Sequence, residues 1–374
     1  MKTGRASSDV DAFRCVIAGG GTGGHLFPGI AVAEELRSRL DRVELLFVVG
    51  RKPMEARILS SHGYETRSID VEGLTGRGIK KGLTVCAKLP KSILQSISVI
   101  HTFSPDVVLG VGGYSSGPFC LSARIMGSPT AVHEQNAYPG LTNRLLARIA
   151  DRIFISMDES RPYFDAAKTV LTGNPVRHAF FAKREKPGTT PEGFCVLVVG
   201  GSQGASVINQ VIVSALKILK QEGRSLRVLH QTGPHDYERV KADYTQQGLS
   251  GQVFPFIDDM ATAYAQADLV ISRAGATTLF ELAAMGKPAI LIPYPFATHN
   301  HQKTNAMSLV RAGGAEMVLQ EDLTGEKMAY LVMKYMDDPG TLHEMGQRAH
   351  KMSRRDAASK IVDQLLEMAK YTRP

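Results

Sequence analysis

The stretch "CVIAGGGTGGHLFPG", residues 15–29, sets five glycines directly ahead of a histidine, His25. Gly19, Gly21 and Gly24 satisfy GxGxxG between an apolar run and a helix-like segment, the arrangement that lets backbone amides approach a phosphate at a helix N-terminus. An imidazole in the first turn of that helix, at the carboxyl edge of a sheet, faces the crevice where ligands bind. The alternatives are a glycine turn needed only for packing and a histidine satisfied within the protein. A dinucleotide site also wants an acidic residue after the second strand, where "FVVGRKP" offers Gly50 and Arg51; this speaks against NAD and leaves NADP open. Two further turns reach the same edge. "GVGGYSSGP" ends in Ser116-Gly117-Pro118, a helix start, and "VHEQNAYPG" puts His133, Glu134, Gln135 and Asn136 at a strand end. A polar quartet there suits a hydroxylated ligand, or else loop hydrogen bonding alone.

The second half carries its own candidates. "GGSQGA" (200–205) presents amides and Ser202 at a helix N-terminus, fit for a diphosphate, and lacks the Lys-Ser/Thr of an ATP-hydrolysing P-loop. In "SRAGATTLFE" Glu281 lies one helical turn beyond Thr277. The amides of Ala276–Thr278 and the Glu281 carboxylate can therefore share one ligand, amides to phosphate and carboxylate to a ribose diol, unless Glu281 is a plain surface charge.

These groups must be held by an α/β framework. The chain has 374 residues, 43% hydrophobic and 21% charged, the balance of a soluble globular protein of two domains. Strand-length apolar runs ("FRCVIAG", "VELLFVVG", "DVVLGVG", "TAVHEQ", "RIFISM") alternate with helix-like segments, which argues for a parallel sheet covered on both faces. After a turn-rich, charged stretch at residues 173–192 the pattern restarts with "CVLVVGGSQGASVINQVIVSALKIL". Two Rossmann-like halves follow, with a hinge near Pro175. The four cysteines (Cys15, Cys86, Cys120, Cys195) show neither CxxC nor zinc spacing, which fits a reducing cytoplasm. The N-terminus lacks a secretory apolar core, and no run reaches the ~18 apolar residues of a membrane span.

The net charge of +8 is uneven: no acidic residue occurs between Glu72 and Asp106. There Arg77, Lys80, Lys81, Lys88 and Lys91 alternate with Ile79, Leu83, Val85, Leu89, Ile93, Leu94 and Ile97. Such a segment can rest on anionic lipid headgroups, or be an ordinary solvated helix interrupted by Pro90. Aromatic residues that would stack on nucleic acid bases are missing from it.

"GGGTGGHLFPG", "GGYSSGP", "HEQNAYPG", "TGNPVR", "GGSQGASVIN", "FIDDMATAY", "SRAGATTLFE" and "HQKTNA" follow one another in an order and spacing that resembles the MurG family of bacterial cell-wall glycosyltransferases, from about Phe13 to the final helix. The resemblance implies the GT-B architecture, two Rossmann-like domains with parallel sheets facing across a cleft. It implies an acceptor and membrane-docking domain over 1–174, a UDP-GlcNAc domain over 175–350, and a C-terminal helix within 351–374 packing back on the first domain. The implied reaction is inverting transfer of GlcNAc from UDP-GlcNAc to the 4-hydroxyl of MurNAc in undecaprenyl-linked lipid I, giving β(1→4)-linked lipid II for peptidoglycan synthesis, and so for cell shape and division. By the same resemblance Phe256 and Ile257 meet the uracil, Glu281 the ribose, and Ser202 with Ala276, Thr277, Thr278, Leu279 and Phe280 the diphosphate side. Arg177, at the hinge, also contacts the donor. Gln302, His301 and Asn136 read the GlcNAc hydroxyls. Thr22, Gly23 and Gly24 border the sugar, and Gly20, Gly21, Gly113, Tyr114, Ser115 and His133 the acceptor. His299 departs from the aspartate frequent in the family, altering the rim of the sugar site.

Inversion requires the acceptor oxygen to attack C1 opposite the departing UDP, with no covalent intermediate. His25 is the first candidate for the base and Glu134 the second. Backbone amides and helix dipoles after Gly204 or Ala276 take the leaving-group charge in place of a metal, so no metal or other cofactor is expected; Asp258-Asp259 is read as structure beside the uracil loop. A polyprenyl acceptor favours the lipid-surface reading of Ile79, Lys80, Lys81, Leu83, Lys88, Leu89 and Lys91, hence a peripheral enzyme at the cytoplasmic face of the plasma membrane, with other cell-wall synthesis proteins as further partners and no nucleic acid. The alternatives are a related transferase for another lipid, such as diacylglycerol, and an NADP-binding protein using Arg51.

Overall fold

The computed structural model describes residues 12–21, 23–71, 79–185 and 193–370. The chain divides into two compact units, one formed by the described residues up to Gln135, Pro139–Pro175 and those from Asp356 onward, the other by Asn136–Tyr138 and Val176–Arg355.

In the first unit the strands are β1 (Phe13–Gly19), β2 (Val43–Val49), β3 (Glu65–Ser68), β4 (Val107–Gly112), β5 (Thr130–Glu134), β6 (Arg152–Ile155) and β7 (Thr169–Leu171). They form one parallel sheet in the order β3-β2-β1-β4-β5-β6-β7. Between them run α1 (Gly23–Arg39), α2 (Pro53–Ser61), α3 (Ile79–Phe103), α4 (Ser116–Ile125) and α5 (Leu141–Leu146). Helices on both faces leave β4 and β5 buried at every position, which is why β4 reads as an unbroken apolar or small run rather than as alternation. Val16, Val48, Val108, Phe119 and Ile153 centre this core, each such side chain contributing about 1.5–3 kcal/mol. The expected interruption at Pro90 does not occur: Pro90 lies within α3. One lost amide bond is a local cost that the packing of a long helix absorbs.

The second unit repeats the plan with α6 (His178–Glu185), β8 (Cys195–Val199), α7 (Ser206–Gln221), β9 (Arg227–Gln231), α8 (Tyr237–Gln247), β10 (Gln252–Phe254), α9 (Met260–Gln266), β11 (Leu269–Ser272), α10 (Ala276–Met285), β12 (Ala289–Leu291), α11 (His301–Arg311), β13 (Ala315–Met317), α12 (Gly325–Asp337) and α13 (Pro339–His350). Its parallel sheet has the order β10-β9-β8-β11-β12-β13. The final helix, α14 (Ala357–Met368), belongs to the first unit. Arg39 of α1 holds it through the Asp363 carboxylate and the Ser359 carbonyl.

Strand order reverses between β1 and β4 in one sheet and between β8 and β11 in the other. Loops leaving the carboxyl ends at such a switch point diverge and open a crevice. The turns of "GGGTGGH", "GVGGYSSGP", "GGSQGA" and "SRAGATT" leave these four strands, and "HEQNAYPG" leaves the neighbouring β5.

Candidate functional site

In the first unit the turns after β1 and β4 meet backbone to backbone. The Gly20 amide donates to the Gly112 carbonyl at 3.2 Å. A Cβ on Gly113, whose φ is +83°, would lie 1.9 Å from the Gly20 carbonyl oxygen. Gly113→Ala is therefore expected to lower unfolding stability by ~3 kcal/mol or more, read as a shift in the urea midpoint. Ser116, the first residue of α4, returns its hydroxyl to the Gly113 carbonyl at 2.9 Å. Gly23, Gly24, Gly113 and Tyr114 are accessible, whereas Gly20 and Ser115 are buried. Thr22 lies outside the described residues.

Two side chains from the start of α2, Lys52 and Glu55, clamp this turn. The Lys52 ammonium donates to the Gly21 carbonyl at 2.8 Å, and the Gly21 amide donates to Glu55 Oε1. Glu55 is buried with Oε2 unpartnered, and burial raises its carboxyl above the usual range against the opposing pull of Gly21 and Lys52. Sequence reasoning missed this pair, because a glutamate in a first helical turn is commonplace.

His25 is half-buried in the first turn of α1, with Nδ1 3.0 Å from Gln135 Oε1. His133 and Glu134, at the end of β5, are each 1% exposed. Expectation and structure part here. Both ring nitrogens of His133 are bonded inside the protein, so both are already engaged. Glu134 Oε2 accepts from the Gly140 amide at 3.0 Å and from Asn143 Nδ2 at 2.9 Å. That carboxylate holds the 134–140 turn at the head of α5, which assigns it to positioning rather than to proton removal.

In the second unit the turn after β8 (200–205) and the start of α10, after β11, stand at one switch point. Gln231, buried on β9, ties two loops together: its Nε2 donates to the Gly201 carbonyl at 3.1 Å, and its Oε1 accepts the Ile257 amide at 2.8 Å. Phe256 and Ile257 are half-buried and Ser202 accessible. On α10, Ala276, Thr277, Leu279, Phe280 and Glu281 are buried and Thr278 is half-buried. Arg177 Nη2 lies 3.5 Å from Glu281 Oε1, with its guanidinium 4.9 Å from the Phe180 ring centroid. Burial pushes the Glu281 carboxyl up to about 7, while Arg177 and the Tyr264 hydroxyl pull it down.

Gln302 Oε1 accepts the Tyr294 amide at 2.9 Å, and His301 Nδ1–H donates to the Thr298 carbonyl at 2.8 Å. His299 and Asn300 both adopt left-handed backbone, φ 51° and 53°. The His299 ring lies 4.6 Å from that of Tyr138. Asn136 Oδ1 accepts from Asn305 Nδ2 at 3.1 Å, and Asn305 Oδ1 accepts the Ala137 amide at 2.9 Å. Sequence reasoning passed over Asn305 and Gln231, which hold candidate site residues in place; the signal for Asn305 was a poor helix former in mid-helix.

Asp259 caps α9, accepting from the Thr262 amide at 3.0 Å. Among the described residues no group of three His, Cys, Asp or Glu side chains is arranged to hold a metal. Ile79, Lys80, Lys81, Leu83 and Lys88 lie on α3, with side chains outside the described residues. Further along, Leu89, Leu94 and Ile97 are exposed, Leu94 at 67%. Lys91 is paired with Asp70 at 2.7 Å, and Arg51 with the same carboxylate at 2.6 Å. Arg51 and Lys91 thus share one carboxylate at the surface. No helix of the described residues is long and apolar enough to cross a membrane.

Known proteins share this arrangement. The glycosyltransferase family 28 N-terminal domain matches residues 15–155 and the family's C-terminal domain residues 195–361. A Syntrophus aciditrophicus protein named UDP-N-acetylglucosamine--N-acetylmuramyl-(pentapeptide) pyrophosphoryl-undecaprenol N-acetylglucosamine transferase is 46% identical over 355 residues, 95% of this chain and 98% of its own. Its Geobacter sulfurreducens namesake is 48% identical over 94% of this chain and 98% of its own. The crystal structure of Acinetobacter baumannii MurG matches with a TM-score of 0.72 and 32% identity, covering 95% of this chain and 99% of that one. With two parallel Rossmann-like sheets, a domain match on each and relatives aligned nearly end to end, the chain belongs to glycosyltransferase family 28, of the GT-B fold class.

Proposed function

We propose that this chain is an inverting N-acetylglucosaminyltransferase that moves GlcNAc from UDP-GlcNAc to the 4-hydroxyl of MurNAc in undecaprenyl-pyrophosphoryl-MurNAc-pentapeptide, making lipid II from lipid I for peptidoglycan. The observation that carries this reading is 46–48% identity over 94–95% of the chain with transferases named for these substrates. The second unit binds the donor. Phe256 and Ile257 take the uracil, and Glu281, held by Arg177, accepts the ribose hydroxyls. The Ala276–Thr278 amides and the Ser202 turn take the diphosphate, with Leu279 and Phe280 fixing α10 beneath it. Gln302, His301 and Asn136 read the sugar. Gly20, Gly21, Gly113, Tyr114 and Ser115 form the acceptor side.

His25 removes the proton from the 4-hydroxyl as that oxygen attacks C1 in line with departing UDP. Charge developing on the diphosphate is met by fixed amides and the dipoles of α7 and α10, so the chemistry needs no metal ion. A polyprenyl acceptor stays in its bilayer. The exposed apolar side chains of α3 support docking on the cytoplasmic membrane face by basic and apolar contact.

The test is transfer of labelled GlcNAc to a short-chain lipid I analogue, with EDTA present and diacylglycerol as the control acceptor. Transfer to the analogue alone, undiminished by EDTA, is the expected result. No transfer to it despite UDP-GlcNAc binding would overturn the acceptor, and loss with EDTA would overturn the metal-free step.

A further inference from the structure

We infer that Gln135 is a positioning residue for the transfer: it fixes the tautomer of His25, holding the ring proton on Nδ1 and leaving the basic lone pair on Nε2. The inference rests on reading His25 as the base, and it comes from a chain of hydrogen bonds whose direction is set at both ends. At one end Gln135 Nε2 lies 2.9 Å from the Val111 carbonyl. A carbonyl only accepts, so this end of the side chain must be the amide NH2, and the other end, Oε1, must be the acceptor. His25 Nδ1, 3.0 Å from that Oε1, must then carry its hydrogen.

The second Nε2 hydrogen serves His133, whose Nδ1 lies 3.0 Å away and whose carbonyl lies 3.3 Å away, so no ring hydrogen fits at Nδ1. His133 Nδ1 therefore accepts, and its own hydrogen is on Nε2, which lies 3.1 Å from Ser156 Oγ and 3.4 Å from the Gly173 carbonyl, again an obligate acceptor. This requires a neutral His133. Burial supplies that, pushing the imidazole down to about 4. The two carbonyls at the ends thus orient every hydrogen between them, and no flip of Gln135 satisfies both. The fit is also steric: Gly112 has φ +91°, and a Cβ there would lie 2.8 Å from His25 Nδ1. On β4 and β5 the titratable groups are His133, neutral, and Glu134, whose Oε2 is bonded to Gly140 and Asn143. Protonation and deprotonation of His25 then take place at Nε2 in both directions of the cycle, the atom presented for the acceptor proton. A glutamine does this without the added basicity that a carboxylate partner would confer.

The experiment is nitrogen-15 NMR of the histidine rings in the full chain, with the His25 signals assigned by their loss in His25→Ala, alongside kinetics of Gln135→Leu and Gln135→Glu. The expected wild-type spectrum shows His25 protonated at Nδ1 with Nε2 titrating. Gln135→Leu loses that bias and lowers kcat about 10–100-fold, with the KM for UDP-GlcNAc changed by less than about twofold. Gln135→Glu moves the acid limb of the kcat–pH profile upward by about one unit or more, as a carboxylate stabilises the imidazolium. Folding failure of either variant does not touch the wild-type spectrum. A wild-type His25 protonated at Nε2, or a Gln135→Leu protein with an unchanged tautomer, overturns the inference. Full turnover by His25→Ala instead overturns the assignment of the base, while the spectrum still decides what Gln135 does to the ring.

Discussion

His25→Ala lowers kcat ~10²–10⁴-fold, the range ascribed to a positioned general base, and leaves UDP binding unchanged. The asymmetry follows from where the residue acts. A sugar hydroxyl is a poor nucleophile until its proton is leaving, and the imidazole in the first turn of α1 is the group on the acceptor side suited to take it near neutral pH. The side chains proposed to hold the donor lie on other elements of the chain: Glu281 on α10, Ser202 after β8, Gln302 on α11. Stabilisation of departing UDP is therefore intact in the variant, and a residual rate above background remains, about 3–5.5 kcal/mol of transition-state stabilisation having been lost. Isothermal titration with UDP and steady-state kinetics in both substrates check the two halves of the statement. Glu134→Gln gives the contrast: its carboxylate is engaged by Gly140 and Asn143, so its effect falls on loop stability and acceptor KM ahead of kcat. A full rate for His25→Ala would assign the proton to another group.

The framework was readable because a buried parallel strand leaves an unmistakable trace. "CVLVV" has no polar position since both faces of β8 are covered, and the runs of β1, β4 and β8 end in glycines where the chain turns at the sheet edge. The switch points followed from the restart of that pattern at "CVLVVGG". What escaped was set by partners remote in sequence. Asn305 reaches the Ala137 amide 168 positions away, and Gly21 reaches Glu55 34 positions away; no local period encodes either pairing. The motif "HEQN" marked a polar strand end correctly as a cluster. Its individual residues were not separable, because alternation along β5 decides which side chain turns inward, and both His133 and Glu134 proved buried. Pro90 misled for the opposite reason: the local rule is real, and a long packed helix overrode it.

Glu281→Gln weakens UDP binding about 10–100-fold, the loss expected when one or two charge-assisted hydrogen bonds to a diol become neutral ones. It also abolishes a pH dependence. In the ligand-free protein, burial pushes the Glu281 carboxyl up to about 7, well above its unfolded value. The folded state therefore binds a proton more tightly than the unfolded one, and this contribution to stability is fully present below the unfolded pKa and lost as pH rises through about 7. Binding has the opposite sign. A carboxylate accepting two ribose hydroxyls is favoured in its ionised form, so UDP draws Glu281 toward deprotonation and releases up to one proton when it binds below pH 7. Affinity then rises with pH, by at most about tenfold per unit, and levels off above about 7, where Arg177 already faces a carboxylate. Calorimetric titrations in buffers of different ionisation enthalpy at pH 6 and pH 8 measure the released proton directly. Wild-type protein is expected to release it at the lower pH and not at the higher, and Glu281→Gln at neither. Equal proton release by the wild type and the variant would mean that the titrating group belongs elsewhere in the donor site.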